Sequence, residues 1–571
     1  MTLISHRLRA YHLLRLAAVV LVALLTNAAA LAAQEPRGAG PDARTAPAGT
    51  LRIGLAATWE RDPEQYVGSG AGSLRTLGSK FSFDTLGSNV FATLGPVESA
   101  ARAASGIPTF RASLGRSVVK VRNYFETTPF FAEYGITSRL SLGVVVPLVT
   151  ATTRVDATVN PLGREATVGF NPAYFAVSAA TGMQQLLAQF DSAAIFISQR
   201  LATCAAQPSG TGCTTINASA ATARALTQQS AAFATALGSL YGGRNGTKGA
   251  PFVPVAGTAA QAAIDARVAG FRTQYAALGA SGITAPSPQG AAPITAAGLQ
   301  TILTDSAYGI NSKPLGAVVR RGVGDIDLTA QYTWHDSHAR ATTTGSRMQR
   351  AWWRSAVAGT FRLGTGANTN ADDLIPVPTG DHQNDFEVRS LTDIGFGTAA
   401  SLTTVLRYTM QMPSSLQMRI PGSPGDPFPE AFRTATVTRN AGDEMALDLY
   451  PRWNLSEAMS IAGRYSYRSR GADAYTGTVA GTNSAGTTVT ASASVLDAPS
   501  AAKEHRLGAI VAYSTVAAWS QGKARWPIEI SAGHFQTTAG LGGTVPKLSY
   551  DEVQVRWYWR PFGRAAAPAN R

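Results

Sequence analysis

The sequence predicts an all-β protein: a closed antiparallel transmembrane β-barrel of about twelve strands over 50–562, interrupted by a partly helical extracellular insert over 155–322. Three observations predict it. Around a five-residue turn, Gly135–Arg139, the stretch FFAEYGITSRLSLGVVVPLVTATT (130–153) alternates with period two. Leu140, Leu142, Val144, Val146 and Leu148 share one face; Ser141, Gly143, Val145, Pro147 and Val149 share the other. The run exceeds the roughly 5–6 residues of a typical soluble strand and suits the roughly 9–11 tilted residues that cross a bilayer. A strand edge in hydrocarbon leaves N–H and C=O groups unpaired, so such a hairpin must belong to a closed barrel. Second, the chain opens with an export signal and nothing after it approaches 18 consecutive apolar residues, so it offers no helical span. Third, the connections are sorted. Those after odd strands are mostly long and those after even strands mostly short, as in outer-membrane barrels with long extracellular loops and short periplasmic turns.

At the N-terminus, Arg7, Arg9 and Arg15 precede an apolar core, Leu16 to Leu25, and a small-x-small site at Ala30-Leu31-Ala32, which together read as a signal peptide over 1–33. Residues 34–49 are Pro-, Gly- and Ala-rich, a flexible leader. The 49 basic residues lose Arg7, Arg9 and Arg15 with the signal, leaving 46 against 35 acids, or +11. On an exported chain that charge suits an anionic surface, such as outer-membrane lipid and lipopolysaccharide, or an anionic solute. No nucleic-acid motif accompanies it. Cys204 and Cys213 are expected to form one local disulfide. The absence of a CxxC pair, and of any His between Gln199 and Ser219, argues against metal, and no cofactor motif is present.

Strand one, 51–60, sets Leu51, Ile53, Leu55, Ala57 and Trp59 against Arg52, Gly54, Ala56, Thr58 and Glu60. Residues 61–117 show no clean period and read as a long loop. Strand two, from Val118 to about Glu133, sets Val119, Val121 and Phe125 against Lys120, Arg122 and Glu126; its parity slips near Pro129, where a bulge is expected. Strand three ends at Thr153. Strand four, 324–335, has the cleanest alternation: Ile326, Leu328, Ala330, Tyr332 and Trp334 against Asp325, Asp327, Thr329, Gln331 and Thr333. Strand five, 350–363, opposes Trp353, Val357 and Phe361 to Arg354, Thr360 and Arg362. Strand six, about 384–395, puts Asp385, Glu387, Arg389 and Asp393 on one face. Strand seven opposes Leu402, Leu406, Tyr408 and Met410 to Arg407; strand eight, 444–453, turns Met445, Leu447, Leu449 and Trp453 outward. Strand nine opposes Ile461, Tyr465 and Tyr467 to Arg464 and Arg468. Strands ten (505–515), eleven (about 525–536, with Glu529) and twelve (Val553, Val555, Trp557 and Trp559 against Glu552, Arg556 and Arg560) complete the set. Aromatics near strand ends, among them Trp59, Tyr134, Trp334, Trp453 and Trp559, suit interfacial girdles.

Within 155–322 the period becomes helical. Met183, Leu186, Leu187, Phe190, Ile197 and Leu201 form one stripe, Leu226, Phe233 and Leu237 a second, and Ile264, Val268, Phe271 and Tyr275 a third. The insert is either a self-packed cap or a plug that enters the lumen. An arginine near the midplane on the lipid side costs roughly 2–4 kcal/mol, so the strand charges belong inside. The lumen-lining candidates are Lys120, Arg122, Asp325, Asp327, Arg354, Arg362, Asp385, Glu387, Arg389, Arg407, Arg464, Arg468, Glu529, Glu552 and Arg556. They form either a salt-bridge network filling the bore or a polar path for a solute.

FAEYGITSRLSLGVVVPL (131–148), GVGDIDLTAQY (322–332) and PTGDHQNDFEV (378–388) resemble recurring segments of outer-membrane transporter-type barrels, nearest to the family associated with meta-pathway phenol degradation. The resemblance covers most strands and not the insert. It implies passive uptake of small, often aromatic or apolar molecules by a monomer that the outer-membrane assembly machinery inserts. Such barrels end on an aromatic residue, whereas here Phe562 is followed by a tail, 563–571. An enzyme is not expected. Ser531 and His534 fall on opposite faces of a strand, and the HDSH at 335–338 lies at a short turn. The alternative to transport is a non-conducting structural or surface-interaction barrel.

Overall fold

The computed structural model describes residues 40–560 apart from 63, 69–72, 164, 245–246, 338–350, 398 and 498–499. The export signal, the start of the leader, Phe562 and the tail lie outside the described residues. Twelve antiparallel strands form the barrel: β1 (Leu51–Asp62), β2 (Ser117–Gly135), β3 (Leu140–Val159), β4 (Val318–Val323 and Ile326–Asp336), β5 (Ala351–Leu363), β6 (Asp385–Phe396), β7 (Ala400–Gln411), β8 (Glu444–Asn454), β9 (Met459–Arg470), β10 (Ala502–Ser514), β11 (Ile528–Pro546) and β12 (Ser549–Trp559). Each pairs with its chain neighbours, and β1 closes the cylinder. It runs against β12 from Leu51↔Trp559 to Arg61↔Ser549, and against β2 on its other side. A closed ladder leaves no edge, the condition a bilayer imposes on β-structure. All twelve predicted strands are present in the predicted order.

Outside, one parity of each strand is apolar and exposed: Leu55, Phe130, Leu142, Leu148, Leu328, Tyr332, Trp353, Val357, Val388, Ile394, Leu406, Met445, Trp453, Ile461, Leu507, Ile530, Val555 and Trp559. An apolar surface encircling the molecule is a lipid-facing band. Short turns such as 136–139 and 455–458 gather at one end, the turn end, and the long segments 63–116, 160–317, 364–384, 412–443 and 471–501 at the other, the loop end. The last loop-end connection is short, because β11 folds back at Gly542 (φ +90°).

The bulge expected at Pro129 is absent. β2 and β3 pair without a break from Ser117↔Val159 to Gly135↔Ser141, with Pro129 directly opposite Pro147. Proline has no N–H to give, and the gaps open in the ladders on the far sides. β1–β2 pairing skips from Leu55↔Phe130 to Thr58↔Thr127, and β3–β4 pairing from Val145↔Asp327 to Leu148↔Val323. The bulge sits in the second gap, at Gly324–Asp325, where the parity of β4 switches. Val323 and Leu328 therefore both face outward.

The strands β3 and β4 extend past the predicted ends, so the interruption spans 160–317. The loop after β1 contains an unpredicted helix, α1 (Leu94–Ser105). Four further helices of nine residues or more follow β3: α2 (Thr181–Ala206), α3 (Ala220–Tyr241), α4 (Ala259–Ala277) and α5 (Ala296–Thr304). Every residue of the three predicted stripes is buried. Phe190, Phe233 and Phe271 meet with centroids 5.2–6.0 Å apart. Cys204 and Cys213 are disulfide-bonded, joining the end of α2 to the start of a short helix, Cys213–Ala218, that precedes α3. This helical core continues through Phe81, Phe91 and Leu94 onto Val119, Val121 and Val159 of the barrel wall, so the insert is seated on the loop end.

Candidate functional site in the lumen

At the turn end, residues 40–47 run inside the barrel. The chain turns at 47–50, with Gly49 at φ +68°, and only then enters β1. Ala43 is fully buried in a cluster with Ala356, Ala358, Leu391, Val405, Tyr450 and Ala462, where the alanines leave the room it occupies. Backbone groups anchor it: Ala43 N–H donates to Asp393 Oδ2 (2.9 Å), Thr333 Oγ1 donates to Ala43 O (2.8 Å), Gln331 Nε2 donates to Arg44 O (3.1 Å), and Ala46 N–H donates to Glu133 Oε1 (3.1 Å). Gly135 has no side chain because a Cβ there would lie 2.2 Å from Pro47 O. Burial alone would raise the Asp42 carboxyl, but the guanidiniums of Arg44, Arg52, Arg452 and Arg354 hold it below the ordinary carboxylate range. The segment expected to be a flexible leader is thus, from residue 40, a pinned stopper. Its residues carry no hydrophobic period, and the only sequence trace of it is the run of small inward residues on β5, β7, β9 and β10.

Above this stopper, Phe535 and Tyr550 stack (4.7 Å), and Arg464 lies over Phe535 and Tyr450 while donating to the Tyr550 hydroxyl (3.0 Å). Toward the loop end there is a cavity of about 200 Å³, lined by Arg362, Arg407, Arg464, Arg468 and Arg506 with Glu387, Glu444 and Glu504. Each guanidinium meets a carboxylate: Arg362 with Asp327 (2.9 Å), Arg464 with Asp448 (3.3 Å), Arg468 with Glu444 (2.8 Å), Arg506 with Glu504 (2.6 Å), and Arg407 with Asp448. Pairing offsets the cost of holding these charges away from bulk water. The facing wall differs. On β2 and β3 the inward residues are Phe125, Pro129, Phe131, Val145, Pro147 and Val149, all partly exposed to the lumen. The bore therefore has a charged wall, β5 to β10, and an apolar wall, β2 to β3.

Thirteen of the fifteen lumen candidates face inward; Lys120 and Arg122 do not. Arg354 pairs with Asp336 (2.7 Å) and Asp393 (3.6 Å) beside the stopper, and Arg556 lies 3.8 Å from Glu529, which also accepts from the Tyr558 hydroxyl (2.8 Å). Arg389 pairs with Glu387, and Asp385 lies 3.8 Å from Arg362. Glu552 stands on the inward face of β12, opposite Thr58. Asp325 is inward but engaged with loops, accepting from Gly366 N–H (2.8 Å) and Asp381 N–H (3.0 Å). Lys120 and Arg122 are exposed on the outer face, because Val119 and Val121 turn inward to meet the helical core. Sequence reasoning missed Asp42, Ala43, Arg452 and Arg506. It also missed Arg419, a buried clamp that donates to Asn311 O (2.8 Å), Pro429 O (2.9 Å) and Asp372 Oδ1 (2.6 Å) and ties the insert to two neighbouring loops. Ser531 and His534 do face opposite sides, and His534 pairs with Asp551 on the exterior (2.8 Å).

No protein-family model and no curated protein matches the sequence. Among solved structures, an outer-membrane channel from Pseudomonas putida F1 is similar over 91% of this chain and 99% of its own, at 10% identity and a TM-score of 0.38. The Ralstonia pickettii toluene transporter TbuX is similar over 90% and 89%, at 7% identity and 0.26, and the P. putida toluene transporter TodX over 90% and 90%, at 11% and 0.22. Likenesses this distant assign no property to this chain.

Proposed function

We propose that this chain is a monomeric outer-membrane barrel for the passive passage of a small molecule, held here with its own leader segment occupying the turn end of the bore. The turn end faces the periplasm and the loop end the exterior, following the sorting of short and long connections. The observation that carries the reading is the stopper. What occupies the turn end of the bore is a separate chain segment held by a few hydrogen bonds and one carboxylate, and the barrel wall closes without it. Above it lies a cavity lined by paired, hydratable charge from β5 to β10, and the β2–β3 wall of the bore carries phenyl, prolyl and valyl groups. That asymmetry suits an amphipathic solute, its apolar body along β2–β3 and its polar group toward the arginines, better than a plain hydrocarbon.

Refolded protein in planar bilayers and swelling liposomes provides the test. The intact chain is expected to conduct little, and deletion of residues 34–48 to raise conductance and the swelling rate at least severalfold, with small aromatic carboxylates passing faster than sugars of similar size. Absence of passage with both the stopper and residues 165–315 removed would favour a non-conducting structural barrel.

A further inference from the structure

We propose that the outer wall of β1–β4 at the loop end is a binding site for the phosphates of an outer-leaflet glycolipid. Arginines inside the barrel sit on carboxylates. Five cations on the outer wall differ: Arg61, Lys120, Arg122, Arg154 and Arg321. Among the described residues none has a carboxylate oxygen within the 4.0 Å of an ion pair. Arg122 and Arg154 are direct partners across the β2–β3 ladder, where Cβ atoms stand about 4.5–5.5 Å apart and like charges repel. The Arg154 guanidinium lies over the outward Tyr124 ring, 5.6 Å from its centroid, and Arg61 is opposite that tyrosine on β1. Stacking fixes the plane of the fork and leaves its N–H edges to an external acceptor. Two carboxylates share the surface, Glu126 opposite Trp59 and Asp156 opposite Lys120, so five cations against two acids leave an excess of three.

Position selects the ligand. The outward column of β3 reads Leu142, Val144, Val146, Leu148 and then Thr150, Thr152, Arg154; that of β4 passes from Val323 directly to Arg321. The cations thus begin where the apolar band stops, at steps of about 6.6 Å along the strand. Behind them Val119 and Val121 are buried in the helical core, so the wall is rigid. A phosphate on a lipid whose acyl chains cover the band supplies the missing charge-assisted acceptor at the right height.

This inference rests on the loop end facing the outer leaflet. The test is native mass spectrometry of the refolded full chain, titrated with diphosphorylated lipid A, the same lipid dephosphorylated, and inorganic phosphate. The R122Q/R154Q double variant is run alongside, with heat-modifiability confirming that it folds. Wild type is expected to hold lipid A at least tenfold more tightly than either the variant holds it or wild type holds the dephosphorylated lipid. Equal affinity in any of these comparisons overturns the site, and tighter binding of inorganic phosphate than of lipid A overturns the lipid as its occupant. Protease access to residues 160–317 in intact cells checks the orientation separately. Protection there would sink the orientation while the binding result stood.

Discussion

Two parts of one hairpin, β2–β3, differ in what surrounds them. Between the turn end and Leu148, the outward residues are Phe130, Leu142 and Leu148, and the inward ones include Glu133 and Ser141. Beyond Thr150 the same two strands turn Lys120, Arg122 and Arg154 outward, and Val119 and Val121 inward. The period of two continues unbroken through the register, so the backbone is indifferent to the change. What changes is the medium on each side: lipid outside and the lumen inside below, water or headgroups outside and a packed helical core inside above. Alternation reports that two faces differ and leaves open which face is which.

The comparison breaks most sharply at Val144. Val144→Arg puts a guanidinium into the lipid-facing band at a cost of about 2–4 kcal/mol, and is expected to abolish membrane assembly, scored as loss of the heat-modifiable form. Val145→Arg, one residue on and facing the lumen, should assemble with a smaller loss. Equal effects would remove the facing assignment. The upper wall already carries Arg122 on the corresponding outward face, so Arg122→Leu should leave assembly unchanged.

A second test inverts the first. Val121 is 4% exposed and packs into the helical core from the lumen side. Val121→Asp buries an unpaired carboxylate and should destabilise the seating of the insert by about 2–4 kcal/mol, read as rapid proteolysis within 160–317 while the barrel stays folded. A variant as resistant as wild type would show that the core does not extend onto β2.

These two positions mark how far the sequence could be read. All twelve strands were legible because a bilayer enforces strict alternation and because length and turn spacing separate such strands from soluble ones. The helical stripes of α2, α3 and α4 were legible because each packs a self-contained apolar face. The facing of Lys120 and Arg122 was not, since it depends on Phe81, Leu86 and the helices, residues distant in the chain that settle over the loop end. The sequence points to a bulge at Pro129 because a proline interrupts a pattern visibly. The actual slip, at Gly324–Asp325, is the answer of a neighbouring strand to Pro147 and appears only once the strands are paired. The stopper left no trace of its own, since a segment such as Asp42-Ala-Arg-Thr-Ala46 is held by partners on strands distant from it in the chain.

The stopper offers a smaller, pH-dependent handle on the lower half. Asp42 is depressed in the folded state, so its contribution to seating is fully present above the ordinary aspartate value of about 3.9 and is lost as pH falls through the folded value. Conductance should therefore stay low from neutral pH down to about pH 4 and rise only below it. Asp42→Asn should raise conductance at neutral pH and flatten that dependence. A variant that conducts and titrates like wild type would mean the four surrounding guanidiniums do not hold the segment through this carboxylate.

The smallest effect separates the two regions from each other. The Cys204–Cys213 disulfide closes a short loop within the insert, and its chain-entropy contribution is about 2–3 kcal/mol. Both sulfurs belong to the helical core, whereas the barrel is held by its closed ladder. Replacing both cysteines by serine should lower the protection of α2 and α3 amides in hydrogen exchange by about that amount and leave the exchange of β5 to β10 unchanged, because a strand ladder that closes through β1 needs nothing from the insert to satisfy its backbone. If protection fell in β5 to β10 as well, the insert and the cylinder would be one cooperative unit. The inward Val119 and Val121 would then be the contacts through which that unit is joined.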